Sequence, residues 1–292
     1  MPSYADCASA EVAGHPIEKS SCQTSGFRGI WQNLKPRTEL LKEVSQYAVL
    51  PVIIVAVWQF LSYMGCLKPV TLPSPGRVAR TFLELLGSGD LARHIAISIL
   101  RVTEGFTIAA ALGLVLGIAI GLSKTVDRLT DLMIQFIKPI PPIAWIPLAI
   151  LWFGIGEEAK VYIIFLGAFF PIIINTSDGI RQTDYKLVEV AKILEVPRAK
   201  FIRKVIIPGA LPAIMTGLRV GLMVAWMCVV AAELIAAGSG IGYLIMDARQ
   251  LSQSDVVVVG MITIGVIGKL MDCLIKKVER RLIKWKVSYA GG

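Results

Sequence analysis

Two kinds of polar chemistry are written into a chain that is otherwise apolar. The first is a run of carboxylates followed by cations: Glu189 and Glu195, then Arg198, Lys200, Arg203 and Lys204. Neither a nucleophile nor a paired base accompanies them, so they offer docking by charge and shape rather than bond making. The second is a scatter of polar groups inside apolar runs, among them Arg101, Glu104, Lys138, Arg219, Glu233, Lys269 and Asp272. A charge in such a run is costly in hydrocarbon and needs a partner, an interface or a watery cavity. Arg101 with Glu104, and Lys269 with Asp272 at the inner end of the sixth segment, stand three residues apart near the interfaces, where they can pair on one helix face or snorkel, a reading favoured over contact with a solute. Lys138 and Arg219 are within reach of an aqueous surface. Glu233 reads as a pairing or gating group, because a bare carboxylate repels anions. It joins Trp145, Asn175 and Trp226 as candidate pathway or gate residues; the tryptophans suit packing or interfacial anchoring equally.

Other chemistries are poorly represented. There are two histidines and five cysteines. Cys7, Cys22, Cys66, Cys228 and Cys273 lack metal-ligand spacing, so no metal is expected. No G-x-x-x-x-G-K-[ST] occurs, and no catalytic residue or cofactor is expected. The GSGIG stretch at 238–242 follows an apolar helix instead of a strand, which makes it a glycine-rich turn near a gate and not a dinucleotide loop.

The elements that must carry these groups follow from hydropathy. Hydrophobic residues make up 55% of the 292-residue chain and charged residues 17%; the mean hydropathy is +0.67. Apolar runs near the roughly 20 residues that cross a bilayer as helix point to an all-α integral membrane protein. Segments are expected at 47–64, 94–122, 129–153, 159–176, 213–237 and 255–275. They form a membrane domain over 46–275. Before it, 1–45 reads as a polar tail, without the apolar core of a cleaved signal, plus a short interfacial helix capped at Thr38. After it, 276–292 is a basic tail. Ser74 and Pro75 open a surface-lying helix carrying Val78, Phe82 and Leu85.

Net charge is +9. Without a soluble basic domain, this signals membrane topology and not nucleic acid. The N-terminal tail holds five Lys and Arg, the 123–128 loop two, the 181–204 stretch seven and the C-terminal tail six, against six on the opposite side. Both termini are therefore expected in the cytoplasm. Gly105, Ala109, Gly113, Gly117 and Gly121 in the second segment, and Gly217, Gly221 and Ala225 in the fifth, allow close helix packing. Pro139, Pro141, Pro142 and Pro147 should bend or partly unwind the third segment, as a pathway-lining element or a buried kink.

The polar stretch at 177–212 is long for a connector, and long ordered loops usually have a task. Leu187, Val190, Ala191 and Leu194 repeat at helical spacing. Pro197 forces a turn near Glu195 and Val196, a second helix follows, and Pro208 should end it. The alternative is a charged loop resting on lipid head groups.

Here the sequence resembles the inner-membrane permeases of bacterial ABC importers. Their signature is E-A-A, three residues, G, nine residues, I, one residue, L-P. Glu189, Val190 and Ala191 match the triplet, Val205 the isoleucine, and Ile207 with Pro208 the L-P pair. Glu195 departs from the glycine. A left-handed backbone there costs an ordinary residue about 1–2 kcal/mol, so either the bend has another geometry or strain is accepted. Stretches such as "PPIAWIPLAILWFGIGEEAK", "FPIIINTSDGI" and "VAAELIAAGSGIGYLI" look like the nitrate, taurine and alkanesulfonate subgroup.

The resemblance implies a six-helix bundle with cytoplasmic coupling helices in the bacterial inner membrane. It implies ATP-binding cassette ATPase subunits that grip the 189–208 loop and hydrolyse the ATP, an external solute-binding protein, and a second permease copy. The solute implied is a small oxyanion, alkanesulfonate or taurine ahead of nitrate or bicarbonate. A secondary transporter would want a midplane ion site and repeats, and a membrane enzyme a nucleophile or metal; neither pattern is evident in the sequence.

Overall fold

The computed structural model describes residues 37–65, 68, 70–183 and 185–283, with backbone alone for 37–48, Tyr185 and Lys192. The expectations for residues 1–36, for 284–292, and for Cys7, Cys22 and Cys66 lie outside these. Every described element is a helix or turn. Helix α1 (Arg37–Tyr63) joins the helix expected at Thr38 to the first apolar segment. Helix α2 (Pro75–Gly87) begins as expected: Ser74 is its N-cap, accepting from the Arg77 amide, with Pro75 in the first turn. A cap of this kind contributes about 1 kcal/mol. Val78 and Thr81 are the buried residues of α2.

Helix α3 (Asp90–Leu122) follows, then α4 (Lys124–Ile137), capped by Ser123. The third apolar segment is broken as the prolines predict. A 3-10 turn at Pro142–Trp145 leads into α5 (Ile146–Phe153), and the chain bends by 85° between α4 and this part. Pro139, Pro141 and Pro142 have no amide to donate, so only short-range bonds bridge the break: Ile140 to the Ile137 carbonyl and Ala144 to that of Pro141. Helix α6 (Glu157–Arg181) opens on a charged first turn, is apolar over 161–174 and passes through Pro171 without a break.

Helix α7 (Tyr185–Ile193) and the short α8 (Arg198–Phe201) follow. A π turn at Ile202–Ile206 connects α8 without interruption to α9 (Ile207–Ala236). Pro208 therefore does not end the second helix. Its ring would crowd the Lys204 carbonyl and it has no amide. The widened turn, in which Ile207 N–H donates to the Ile202 carbonyl, absorbs it. The polar stretch is accordingly narrower than 177–212: 177–181 complete α6, and 207–212 begin α9. Helix α10 (Ile241–Gln250), which hydropathy does not reveal, precedes α11 (Ser254–Leu282).

Among the described residues, α3, α6, the continuous run Arg198–Ala236 and α11 are each long and apolar enough to cross a membrane; the bent α4–α5 pair makes a fifth if counted as one span. The apolar part of α1, Val49–Tyr63, is shorter.

The core lies where α3, α6 and α9 meet, around Ile163, Ile164, Ile172, Ala225 and Val229. The small-residue stripe of α3 explains why they approach so closely. A Cβ on Gly105 would lie 2.7 Å from Ile164, on Gly113 3.0 Å from Ile172, on Gly117 2.8 Å from Thr176, and on Gly121 2.8 Å from Ile180. The offset is constant along the pair, so α3 and α6 run parallel in fixed register. Gly217 and Gly221 of α9 fit against α6 in the same way, at Asn175 and Ile172. In lipid, where apolar burial gives no drive between helices, such contact supplies the attraction.

Candidate functional site

The loop between α6 and α9 takes the turn its motif spacing requires. Glu195 has φ 49°, so it accepts the left-handed conformation that a glycine would adopt freely. The Val196 amide donates to the Ala191 carbonyl at 3.0 Å, and the Leu194 amide to that of Val190 at 3.0 Å. The six-residue bond across a left-handed residue is a Schellman closure, which satisfies the end of α7. Pro197 then fixes an extended entry into α8, with ψ 135°. Of the two geometries open to the sequence, strain at Glu195 is the one realised.

Glu189, Val190 and Glu195 are exposed, and Ala191, Val205, Ile207 and Pro208 are half-buried. Leu187, Val190, Ile193 and Leu194 form an apolar ridge on α7 that the described chain leaves uncovered; Ile193 is 78% exposed. An ion pair between Asp127 of α4 and Arg181 of α6 lies just before this loop in the chain.

The four candidate pathway residues fall in three places. Trp145 and Asn175 are brought together, lining a cavity of about 370 Å³ with Lys138 and the 3-10 turn. The Asn175 side-chain amide donates to the Pro171 carbonyl at 2.8 Å. Trp226 is 3% exposed; its indole donates to the Ile264 carbonyl at 3.1 Å, anchoring α9 to α11. Its neighbours Val220 and Val224 border both the first cavity and a groove between α9 and α11.

Glu233 belongs to a third site, a buried charge cage. Its carboxylate accepts from Arg101 Nη1 at 2.8 Å, from Ser98 Oγ at 2.8 Å and from the Gly242 amide at 2.9 Å. Arg101 grips Glu157 through Nε at 2.5 Å and Nη2 at 2.8 Å, and also holds the carbonyl and hydroxyl of Ser239. Lys160 adds a contact to Glu157 at 2.8 Å. Two cations thus balance two carboxylates. The turn at 238–242 is locked onto this cage: Gly240 has φ 111° and its amide donates to His94 Nδ1 at 3.0 Å. A Cβ at Gly240 would collide with the Glu233 carboxylate.

Two local pairings expected from spacing are therefore wrong. Arg101 turns to Glu157 and Glu233, where it can be buried, and not to Glu104. Asp272 pairs with Arg219 of α9 and with Lys276, and not with Lys269. In both cases a cross-helix partner, held by tight packing, wins over the neighbour three residues away. Sequence reasoning also missed Ser98, Glu157, Lys160 and Ser239. The available signal was a Ser and an Arg in the first half of one apolar helix and an acid near an end of each of two others.

Comparison with known proteins identifies the family and the fold. The family described as "Binding-protein-dependent transport system inner membrane component" matches residues 110–284, more than half of the chain. The chain is 46% identical over 243 residues to SsuC of Bacillus subtilis (strain 168), designated an aliphatic sulfonates transport permease protein, covering 83% of this chain and 88% of that one. It is 35% identical over 259 residues to the taurine transport system permease protein TauC of Escherichia coli (strain K12), covering 87% and 94%. Among solved structures, it is similar to a chain of the inward-facing MetNI methionine ABC transporter, with TM-score 0.52 and 17% identity over 73% of this chain and 99% of that one; this last likeness concerns the fold.

Proposed function

The chain belongs to the binding-protein-dependent transport system inner membrane component family, and from that premise we propose how it works. It is the multi-pass inner-membrane permease subunit of an ABC importer, and ATP chemistry belongs to a separate subunit. The solute is a small organosulfonate, an alkanesulfonate or taurine, delivered by an external binding protein. Two identical copies enclose one path. Each copy spans the membrane six times, counting α1 and the bent α4–α5 pair, with both termini and the α7–α8 loop in the cytoplasm. The 1–45, 46–275 and 276–292 divisions follow from that topology.

The observation that carries the reading is the α7–α8 bend. Its motif spacing, the closed left-handed turn at Glu195 and the bare apolar ridge of α7 together support a preformed plug for a groove on the ATPase. Glu189 and Ala191 seat in that groove, and the basic residues from Arg198 to Lys204 orient the contact. ATP binding draws the two loops together and rocks the bundles between inward- and outward-facing states, with force arising only from differential affinity for those states. Trp145 and Asn175 line the path, and the Glu233 cage closes its outer end.

Glu189→Lys places like charge at the docking end, and is expected to abolish binding-protein-dependent uptake while leaving membrane insertion intact. A cysteine at Ala191 should crosslink to the ATPase subunit. Normal uptake by the Glu189→Lys variant, or a crosslink never formed with the ATPase, overturns the docking role.

A further inference from the structure

Helix α11 presents two surfaces. Exposed Ile262, Val266, Leu270 and Leu274 repeat along one and suit acyl chains. On the neighbouring surface, Gly265, Lys269 and Asp272 border a groove of about 650 Å³ whose far wall is Thr216, Arg219 and Met223 of α9. Asp272 is committed: Arg219 Nε lies 2.5 Å from one oxygen and Lys276 Nζ 2.8 Å from the other. Lys269, by contrast, lines the groove exposed and has no ion pair or hydrogen bond among the described residues.

Its depth makes this unusual. The apolar run expected at 255–275 ends at Lys276 and Lys277, which are taken as the aqueous end of α11. Lys269 stands seven residues earlier, about 10 Å along the axis, more than a lysine side chain spans. An unneutralised ammonium at that depth is stable only beside water or an anion. The groove is lined by two cations, Arg219 and Lys269, against the single carboxylate of Asp272, which Lys276 also neutralises from outside the lining. Two copies meeting on this face would oppose like charges, which disfavours a dry seal. A hydrated anion between them supplies the missing complement.

We propose that Lys269 holds the oxyanion head of the solute, a sulfonate or a similar three-oxygen acid, as it crosses the inner half of the path. This rests on the importer reading above. The chemistry suits transit: a lysine is a hydrated point charge without the two-pronged grip of arginine, and a path needs sites that attract yet release. Arg219, tied to Asp272, is held back from the solute and shapes the wall.

The test uses the whole importer, with ATPase and binding protein, in vesicles. Uptake of labelled ethanesulfonate and ATP hydrolysis stimulated by loaded binding protein are followed for wild type, K269Q and K269R. K269Q should cut uptake at least about tenfold with stimulated hydrolysis within about twofold of wild type, whereas K269R keeps most of the uptake. Wild-type uptake by K269Q overturns the proposal. So does parallel loss of uptake and hydrolysis, which would assign Lys269 to assembly. If wild type and K269Q become equal in vesicles of phosphatidylcholine alone, Lys269 binds an anionic lipid head group and the proposal also falls. If wild type carries nitrate or bicarbonate and not ethanesulfonate, the solute assignment fails separately, and the same comparison with that anion decides on Lys269.

Discussion

Replacing Arg101 by Met tests whether the cage behaves as a balanced unit. All five guanidinium N–H groups have acceptors. The two carboxylates they serve differ in exposure: the Glu157 side chain is 59% exposed and that of Glu233 is 0%. Losing the exposed arm costs about 1 kcal/mol or less. Losing the other leaves Glu233 a sealed charge with only Ser98 and the Gly242 amide to hold it, and breaking such a pair costs about 3–5 kcal/mol. At roughly 2–4 °C per kcal/mol, thermal unfolding of purified Arg101→Met should fall by on the order of 10 °C. Adding Glu233→Gln removes the stranded charge, so the double variant should recover, with a coupling of about 1–3 kcal/mol. A single variant melting within about 2 °C of wild type, or strictly additive losses, would refute the cage as an electrostatic unit.

Glu195→Gly should keep transport and stabilise the loop by up to about 1 kcal/mol, the left-handed strain relieved less the entropy glycine adds; slower amide exchange at Val196 reads this out, and loss of ATPase binding would mean the carboxylate itself makes a contact. Gly117→Ala meets Thr176 and the Ile173 carbonyl, so it should cost about 1–3 kcal/mol through overpacking, whereas Gly76→Ala, with nothing within 4 Å, should be neutral or stabilising; equal melting temperatures for the two would contradict the register of α3 on α6.

Most of the helical framework was legible because apolar runs, prolines and capping residues act locally. Ser74 and Pro75 start α2, the proline cluster breaks the third segment, and the α3 stripe meets a neighbour as its spacing suggests. The loop was legible in part: the turn near Glu195 was expected, but the sequence left open whether Glu195 takes the left-handed backbone it adopts at φ 49°. What escaped was long-range or cooperative. Arg101 could not be matched to Glu157 and Glu233 without the packing that brings α3 against the start of α6 and the end of α9. Helix α10 is too short and mixed for hydropathy to mark. Pro208 looked like a terminator because a widened turn is a property of backbone geometry and not of composition. Asn175 and Trp145 share a cavity only because the chain folds back by 85°.

The run Arg198–Ala236 is one helix of 39 residues, about 58 Å from end to end. One tip sits beside the α7–α8 bend and the other carries Glu233. A push applied at the first would be delivered to the second as through a strut, because the run is continuous. Its irregularities, the π turn and the interior Pro212, lie in the first half, and the extra residue of the π turn sets the rotational phase of the two ends. Deleting one residue there would turn the bend by roughly 100° about the strut, leaving both ends intact but aimed at different neighbours.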